Sequence, residues 1–596
     1  MVNNSTIGKM LICMSVINGL MSLSSCTDKD FDLDDIDVTV GIGSGELSIP
    51  TSSTATIKLS EVLELEDDGD VKEDADGTYR FFKQGDDVEP TEISIDQVTV
   101  KQASAVSHNF VLDLSSASNA KTRSTVSIAE EKTVGNFEYT STLPKEITEL
   151  KSSETMSELS IDMVFNNNIK ELLSTIDELC LYMPNYMGCK VVSSTTTYKQ
   201  EGNKITLDNV STQRTQKIVI GINNLTFNQP EDELGFLGTA GNKVSMLGNI
   251  KMGIKINSQI SLKEGVDPKN CVIENKMEFM EDMKLKNVTG RFSPNIELNN
   301  IGSATISGLP DFLDEDGVKI DIDNPQIILS LNSDMTVPGI VKGTINYVRD
   351  GQNGTIKLNE DIIVKASAQG SKTTRICICR KKDGVANAAE FDQIIEQNNL
   401  KDLFYPSLVS SISFNASAKA DDSKESTFEL GRDYTIKPKY EVNAPLAFGE
   451  DAKIIYTETF DDWNKDVKDI DIKEGGYLIL TAKVENRVPV FLNVSASALD
   501  LNGKEMGSDV NIEITGEVEA SKDGTTPTSS EISIKLTPKK GALKRIDGLK
   551  LTISGSAKSE NGNTSVVGIP LNAKHHSLVA KDIAIKLVGT VTVDLN

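Results

Sequence analysis

The chain has 596 residues, enough for three or four domains, and carries 61 Lys and Arg against 88 Asp and Glu, a net charge of −27. A surface of that sign repels phosphate backbones, which excludes nucleic acid as a partner. Aromatic residues make up 5% of the chain with a single tryptophan, leaving few flat platforms for a sugar face to stack on.

The first residues, MVNNSTIGK, hold one lysine and lead into an uncharged run from Met10 to Leu23. A helix that spans a bilayer needs about 20 consecutive apolar residues. This run is shorter and is interrupted by Ser15, Asn18, Gly19 and Ser22, so it reads as the apolar core of a secretory signal. It ends in Leu23-Ser24-Ser25-Cys26, which resembles the lipobox of bacterial lipoproteins: an aliphatic residue, two small ones and a cysteine. The resemblance implies removal of residues 1–25 and attachment of diacylglycerol to Cys26 through a thioether. At about 0.8 kcal/mol per buried CH₂, several acyl chains such as palmitate hold a protein on a membrane without a helix. Beyond Thr27 come Asp28, Lys29 and Asp30, and acidic residues in that place resemble the surface-export signal of lipoproteins from Bacteroidales-type Gram-negative bacteria. That resemblance implies an outer-membrane location facing the cell exterior. The segment 26–45 also reads as an acidic tether kept extended by charge repulsion.

Period-two patterns follow. Leu159, Ile161, Met163 and Phe165 share one face of a strand, as do Met252, Ile254, Ile256, Ile260 and Leu262, and later Val490, Leu492, Val494, Ala496 and Ala498. One buried and one wet face is the pattern of antiparallel sheets. Asn353-Gly354, Asn502-Gly503 and Asn561-Gly562 predict hairpin turns. Helical spacing is confined to IKELLSTIDEL (169–179), EFDQIIEQ (390–397) and FDDWNKDVKDI (460–470), where Trp463 anchors a connecting helix to a sheet. The expected fold is mainly β: tandem antiparallel β-sandwich (Ig-like) or open-barrel domains with a few short connecting helices. The expected units are a signal peptide (1–25), the tether (26–45) and β domains at 46–200, 201–385 and 386–596, the last with a further division near 445.

Removing Cys13 with the signal and Cys26 with the lipid leaves Cys180, Cys189, Cys271, Cys377 and Cys379. An odd remainder in an exported chain argues against a disulfide framework. In TRICICR, Cys377 and Cys379 point to one face of a strand, but no histidine or second cysteine pair lies near in sequence, so they read as buried small hydrophobes rather than a zinc site. FLDEDGVKIDID departs from the EF-hand template and leaves Asp314, Asp316 and Asp323 as a calcium candidate; no other cofactor or metal is expected. His108, His575 and His576 are the only histidines, and GxSxG, HExxH and GxxxxGK[ST] do not occur. VGIGSGELSIP follows a strand pattern but opens no helix, which rejects a dinucleotide loop.

The expected function is therefore that of a lipid-anchored, cell-surface, multi-domain β protein that binds or scaffolds without catalysis. It would be an accessory to nutrient capture or an adhesin, with surface or transporter proteins and a glycan or peptide as partners. Two alternatives stay open: an anchored glycan or peptide hydrolase using paired carboxylates, and a carrier that encloses an apolar ligand.

Overall fold

The computed structural model describes residues 39–594 apart from 51–55, 64, 66–68, 101–104, 118–123, 299–300, 308–316, 463 and 469. The described chain is mainly β: tandem antiparallel sandwiches with three short α-helices, α1 (Leu59–Leu63), α2 (Asn167–Leu172) and α3 (Asn464–Val467).

The sandwiches are nested in sequence. Strands between Val106 and Phe292 build a seven-stranded sheet centred on Lys243–Ile260 and six of the seven strands of another centred on Ile147–Phe165. We call this the head. Alternation drives it. Leu159, Ile161, Met163 and Phe165 are all buried, each contributing about 1.5–3 kcal/mol, while Asp162 on the opposite face stays half-exposed. Phe137 of one sheet meets Phe279 of the other edge to face, ring centroids 5.1 Å apart, which marks the sandwich interior.

A middle module brackets the head in sequence. Tyr79–Gln84 and Thr91–Ile93, which precede the head, pair with Tyr434–Pro445, which follows it. The same sheet continues through Gln326–Ser333 and Lys372–Cys379, and it packs on a second sheet centred on Gly339–Arg349 and Ser411–Ala420. Tyr440 crosses between them, its hydroxyl donating to the Ile412 carbonyl at 3.1 Å. Head and middle share one continuous apolar core, and Asn287–Phe292 of the head pairs with Ser426–Glu429 of the middle module.

A terminal module brackets both. The N-terminal strand Thr39–Pro50 runs antiparallel to the C-terminal strand Ser577–Asp594, from Thr39 opposite Asp594 to Pro50 opposite Ala584, with a bulge between Ile42 and Gly45. VGIGSGELSIP is thus an edge strand. Strand pairing crosses residues 200 and 385: Met187–Ser194 lies beside Gln216–Thr226, and Lys372–Cys379 beside Gln393–Glu396.

Local elements differ from the sequence reading at three helical segments and one hairpin turn. The 390–397 segment is a strand, Gln393–Glu396, parallel to Lys372–Cys379: Ile395 is fully buried, and a β-branched pair suits a strand flanked by apolar neighbours more than a lone helical turn. The 169–179 segment is helical only in α2, where the Asn166 side chain accepts from the Ile169 N–H, and then becomes the strand Thr175–Tyr182. The 460–470 segment keeps one turn, α3, between strands Lys453–Phe460 and Ile470–Ile472; Trp463 lies outside the described residues. Among the hairpins, Gly503 and Gly562 turn the chain at φ +74° and +70°. The third turn falls at Asp350-Gly351, both with positive φ, so that Asn353-Gly354 sits inside the returning strand.

The seam between middle and terminal modules combines an apolar cluster, in which Tyr79 packs with Val488, Val490 and Leu571, with polar ties. Asp321 accepts from Arg380 at 2.7 Å and from the Asp451 N–H at 3.0 Å, while its carbonyl accepts from the Gly449 N–H. On another stretch of the seam, the turn Asn572–His576 receives the Gly77 hairpin: Lys574 donates to the Ala75 carbonyl and Asn572 to that of Asp76.

Candidate functional site

The predicted lipid site and its signals, Leu23, Ser24, Ser25, Cys26, Asp28, Lys29 and Asp30, lie outside the described residues, as do Asp314 and Asp316. Asp323 is described, and its carboxylate binds Lys381 at 2.6 Å, so it enters the structure as half of an ion pair. Among the described residues, no group of three or more His, Cys, Asp or Glu could hold a metal ion, and no helix is long and apolar enough to cross a membrane.

Cys180, Cys189, Cys271, Cys377 and Cys379 are all free thiols. Burial pushes Cys189 up to about 12 and Cys271 up to about 11, which disfavours the nucleophilic thiolate. Cys377 and Cys379 share one buried face with Val385, Phe391 and Ile394; the hydrogen bond between the two thiols, together with burial, raises Cys377. The pair has the surroundings of a core.

The three histidines do not meet as a site. His108 is exposed and contacts Asn136 at 2.8 Å. His575 is exposed, and His576 beside it is 2% exposed, accepting at Nδ1 from the Asn572 N–H at 3.0 Å. Desolvation lowers His576 to about 4, so the ring is neutral near pH 7.

The feature with the shape of a binding site lies inside the terminal module. Its seven-stranded sheet, which carries Tyr477–Asn486, Thr528–Pro538 and Ser577–Asp594, is faced by a sheet of only three strands, Lys453–Phe460, Phe491–Asp500 and Ile546–Ser556. Between them is a partly open cavity of about 130 Å³, lined, among the described residues, by fifteen that are all aliphatic. Leu480 and Val484 line it from the large sheet, Leu492 and Ile553 from the small one, and these four stay half-exposed. Inward aliphatics of the head, such as Ile161, Ile218 and Ile220, are fully buried. A break in register beside the cavity, between Thr481 and Lys483, coincides with Asp582 at φ +51°. Such a bulge re-aims side chains, and the following Ile583 enters the lining. The sequence marked Leu492 and Val494 as inward-facing; nothing in the alternation marked the gap they face.

No protein-family model and no curated protein matches the chain. Among solved structures, a protein of Parabacteroides distasonis ATCC 8503 described as secreted is similar over 51% of this chain and 90% of its own, at 15% identity and a TM-score of 0.34. The VP2 subviral particle of infectious bursal disease virus is similar over 84% of this chain and 83% of its own, at 10% identity and a TM-score of 0.13. Likenesses this slight place no residue and assign no activity.

Proposed function

We propose that this chain is a lipid-anchored, outward-facing protein of the outer membrane, which binds or scaffolds without catalysis and presents the head to a glycan, a peptide or a neighbouring transporter protein. The observation that carries this reading is the pairing of Thr39 with Asp594. Ser577, at the other end of that C-terminal strand, follows the turn that receives the middle module. Eighteen residues at about 3.3 Å each separate those ends, so Thr39 leaves the terminal module at the end away from the middle one, at most about 55 Å from it. Thirteen residues lead back from Thr39 to Cys26, a reach of at most about 45 Å. An anchor at Cys26 therefore holds the terminal module nearest the membrane, with the middle module between it and the head.

The test is metabolic labelling with palmitate in cells producing the wild-type chain or Cys26→Ala, with and without globomycin, followed by protease shaving of intact cells. The reading expects label on the wild type only, a precursor that accumulates under globomycin, and release of head fragments by shaving. Unchanged processing with no label would remove the anchor. Labelled protein that resists shaving until the outer membrane is opened would place the head in the periplasm.

A further inference from the structure

The cavity of the terminal module is a site for which the anchor has no use. Among the described residues fifteen line it, all aliphatic, and none brings a polar side chain. A buried water needs two to four polar partners, so this space does not hold water well; an apolar cavity of roughly 150 Å³ stays dry and accepts benzene. At about 130 Å³ the space suits a group of about six carbons, and its partial opening lets the remainder of a longer molecule lie outside. Hydrogen-bonding occupants fit poorly, because among the described residues no donor lines the walls.

Charge narrows the class further. Residues 446–594 carry 18 Lys and Arg against 22 Asp and Glu, so most of the excess of −27 resides elsewhere in the chain. A carboxylate approaching this module meets little net repulsion. Packing also argues for an occupant. Leu480, Val484, Leu492 and Ile553 are half-exposed here, whereas equivalent inward residues of the head are fully buried, and filling the gap would return the lost dispersion contacts.

We propose that the terminal module binds the end of one alkyl chain, taking single-chain amphiphiles of the fatty-acid class with the apolar tail between the sheets and the head group outside. The site is independent of lipidation at Cys26, so its failure would leave the anchor untouched.

The test uses the chain from residue 26 onward, purified without lipid, and titrates it with decanoate below its micelle concentration, with decanedioate as the control because it is charged at both ends. Native mass spectrometry is expected to show one decanoate per chain. Isoleucine-methyl spectra are expected to show shifts at Ile534, Ile553 and Ile583 with none at Ile161 or Ile218. Ala580→Phe and Ala482→Phe, which fill the space, are expected to weaken binding at least tenfold; should either fail to fold, the methyl shifts of the wild type still decide. No decanoate binding to the wild type, shifts confined to the head, binding of decanedioate equal to that of decanoate, or undiminished binding by folded cavity-filled variants would each overturn the proposal.

Discussion

Removing the Asp321–Arg380 pair, which lies within the middle module, tests whether it sets Asp321 to receive Gly449 and Asp451 of the terminal module across the seam. The two side chains are 1% and 14% exposed and meet at 2.7 Å. Asp321 also takes the Asp451 N–H at 3.0 Å, and Arg380 donates a second bond, to the Ile322 carbonyl, at 3.0 Å. Deleting one member strands the other in a desolvated place, and breaking a buried pair costs about 3–5 kcal/mol. Asp321→Ala and Arg380→Met should each cost about that much. The double variant leaves no stranded charge, so its cost should fall at least about 2 kcal/mol below the sum of the singles. Because a chain of several modules need not unfold in one step, the assay is urea denaturation read alongside hydrogen exchange at the seam amides of Gly449 and Asp451, which donate to Asp321. Both amides should lose protection before the amides of the head. Single variants costing under about 1 kcal/mol, or strictly additive costs, would refute the idea that this pair clamps the seam.

Three further outcomes follow from buried groups. His576 titrates near 6.5 in an unfolded chain and about 4 in the folded one, so the unfolded state binds the extra proton. Its contribution is fully present above pH 6.5 and is lost as pH falls through 4, at most about 3 kcal/mol. His576→Asn, which keeps an acceptor for the Asn572 N–H, should flatten that part of the stability profile relative to wild type, and an unchanged difference curve between pH 4 and 6.5 would show that the imidazole plays no part. Gly235 holds φ +126°, and a Cβ there would run into the Leu247 carbonyl oxygen; Gly235→Ala should cost about 2–4 kcal/mol in thermal unfolding, with neutrality excluding that clash. The five free thiols should resist a disulfide-exchange reagent in the native chain and all react in denaturant, since four are buried and burial raises Cys189, the fifth. Fast native labelling of Cys377 or Cys379 would contradict the closed core around them.

Alternation was legible because it is local. Ile161 and Met163 announce an inward face through residues two apart, and the structure buries both. The turn falls at Asp350-Gly351 because two dipeptides one residue apart can each take positive φ, and the register of Gly339–Arg349 with Gln352–Lys357 decides between them. Ile394 and Ile395 were misread for a related reason: a short apolar run in a buried parallel strand carries no period of its own, and the three- and four-residue steps from Phe391 imitate a helix. The cavity had no signature at all. Leu492 and Val494 show the same alternation as a filled core, and whether two sheets close upon each other depends on volumes contributed by strands far apart in sequence.

The nesting lies beyond local signals as well, and it governs how the modules depend on one another. The head can pair its strands within one continuous segment, whereas the sheet of the middle module needs Tyr79–Gln84 to find Tyr434–Pro445 across the whole head. The terminal module spans the longest separation in sequence, because Thr39–Pro50 completes its edge only against Ser577–Asp594. Closing such loops costs more entropy with length, though only logarithmically, so the larger effect is on rate. The module nearest an anchor at Cys26 is then the last to close. Among the described residues its buried side chains fall in separate small clusters, in contrast with the single core shared by head and middle. An apolar guest between its sheets would add packing between those clusters.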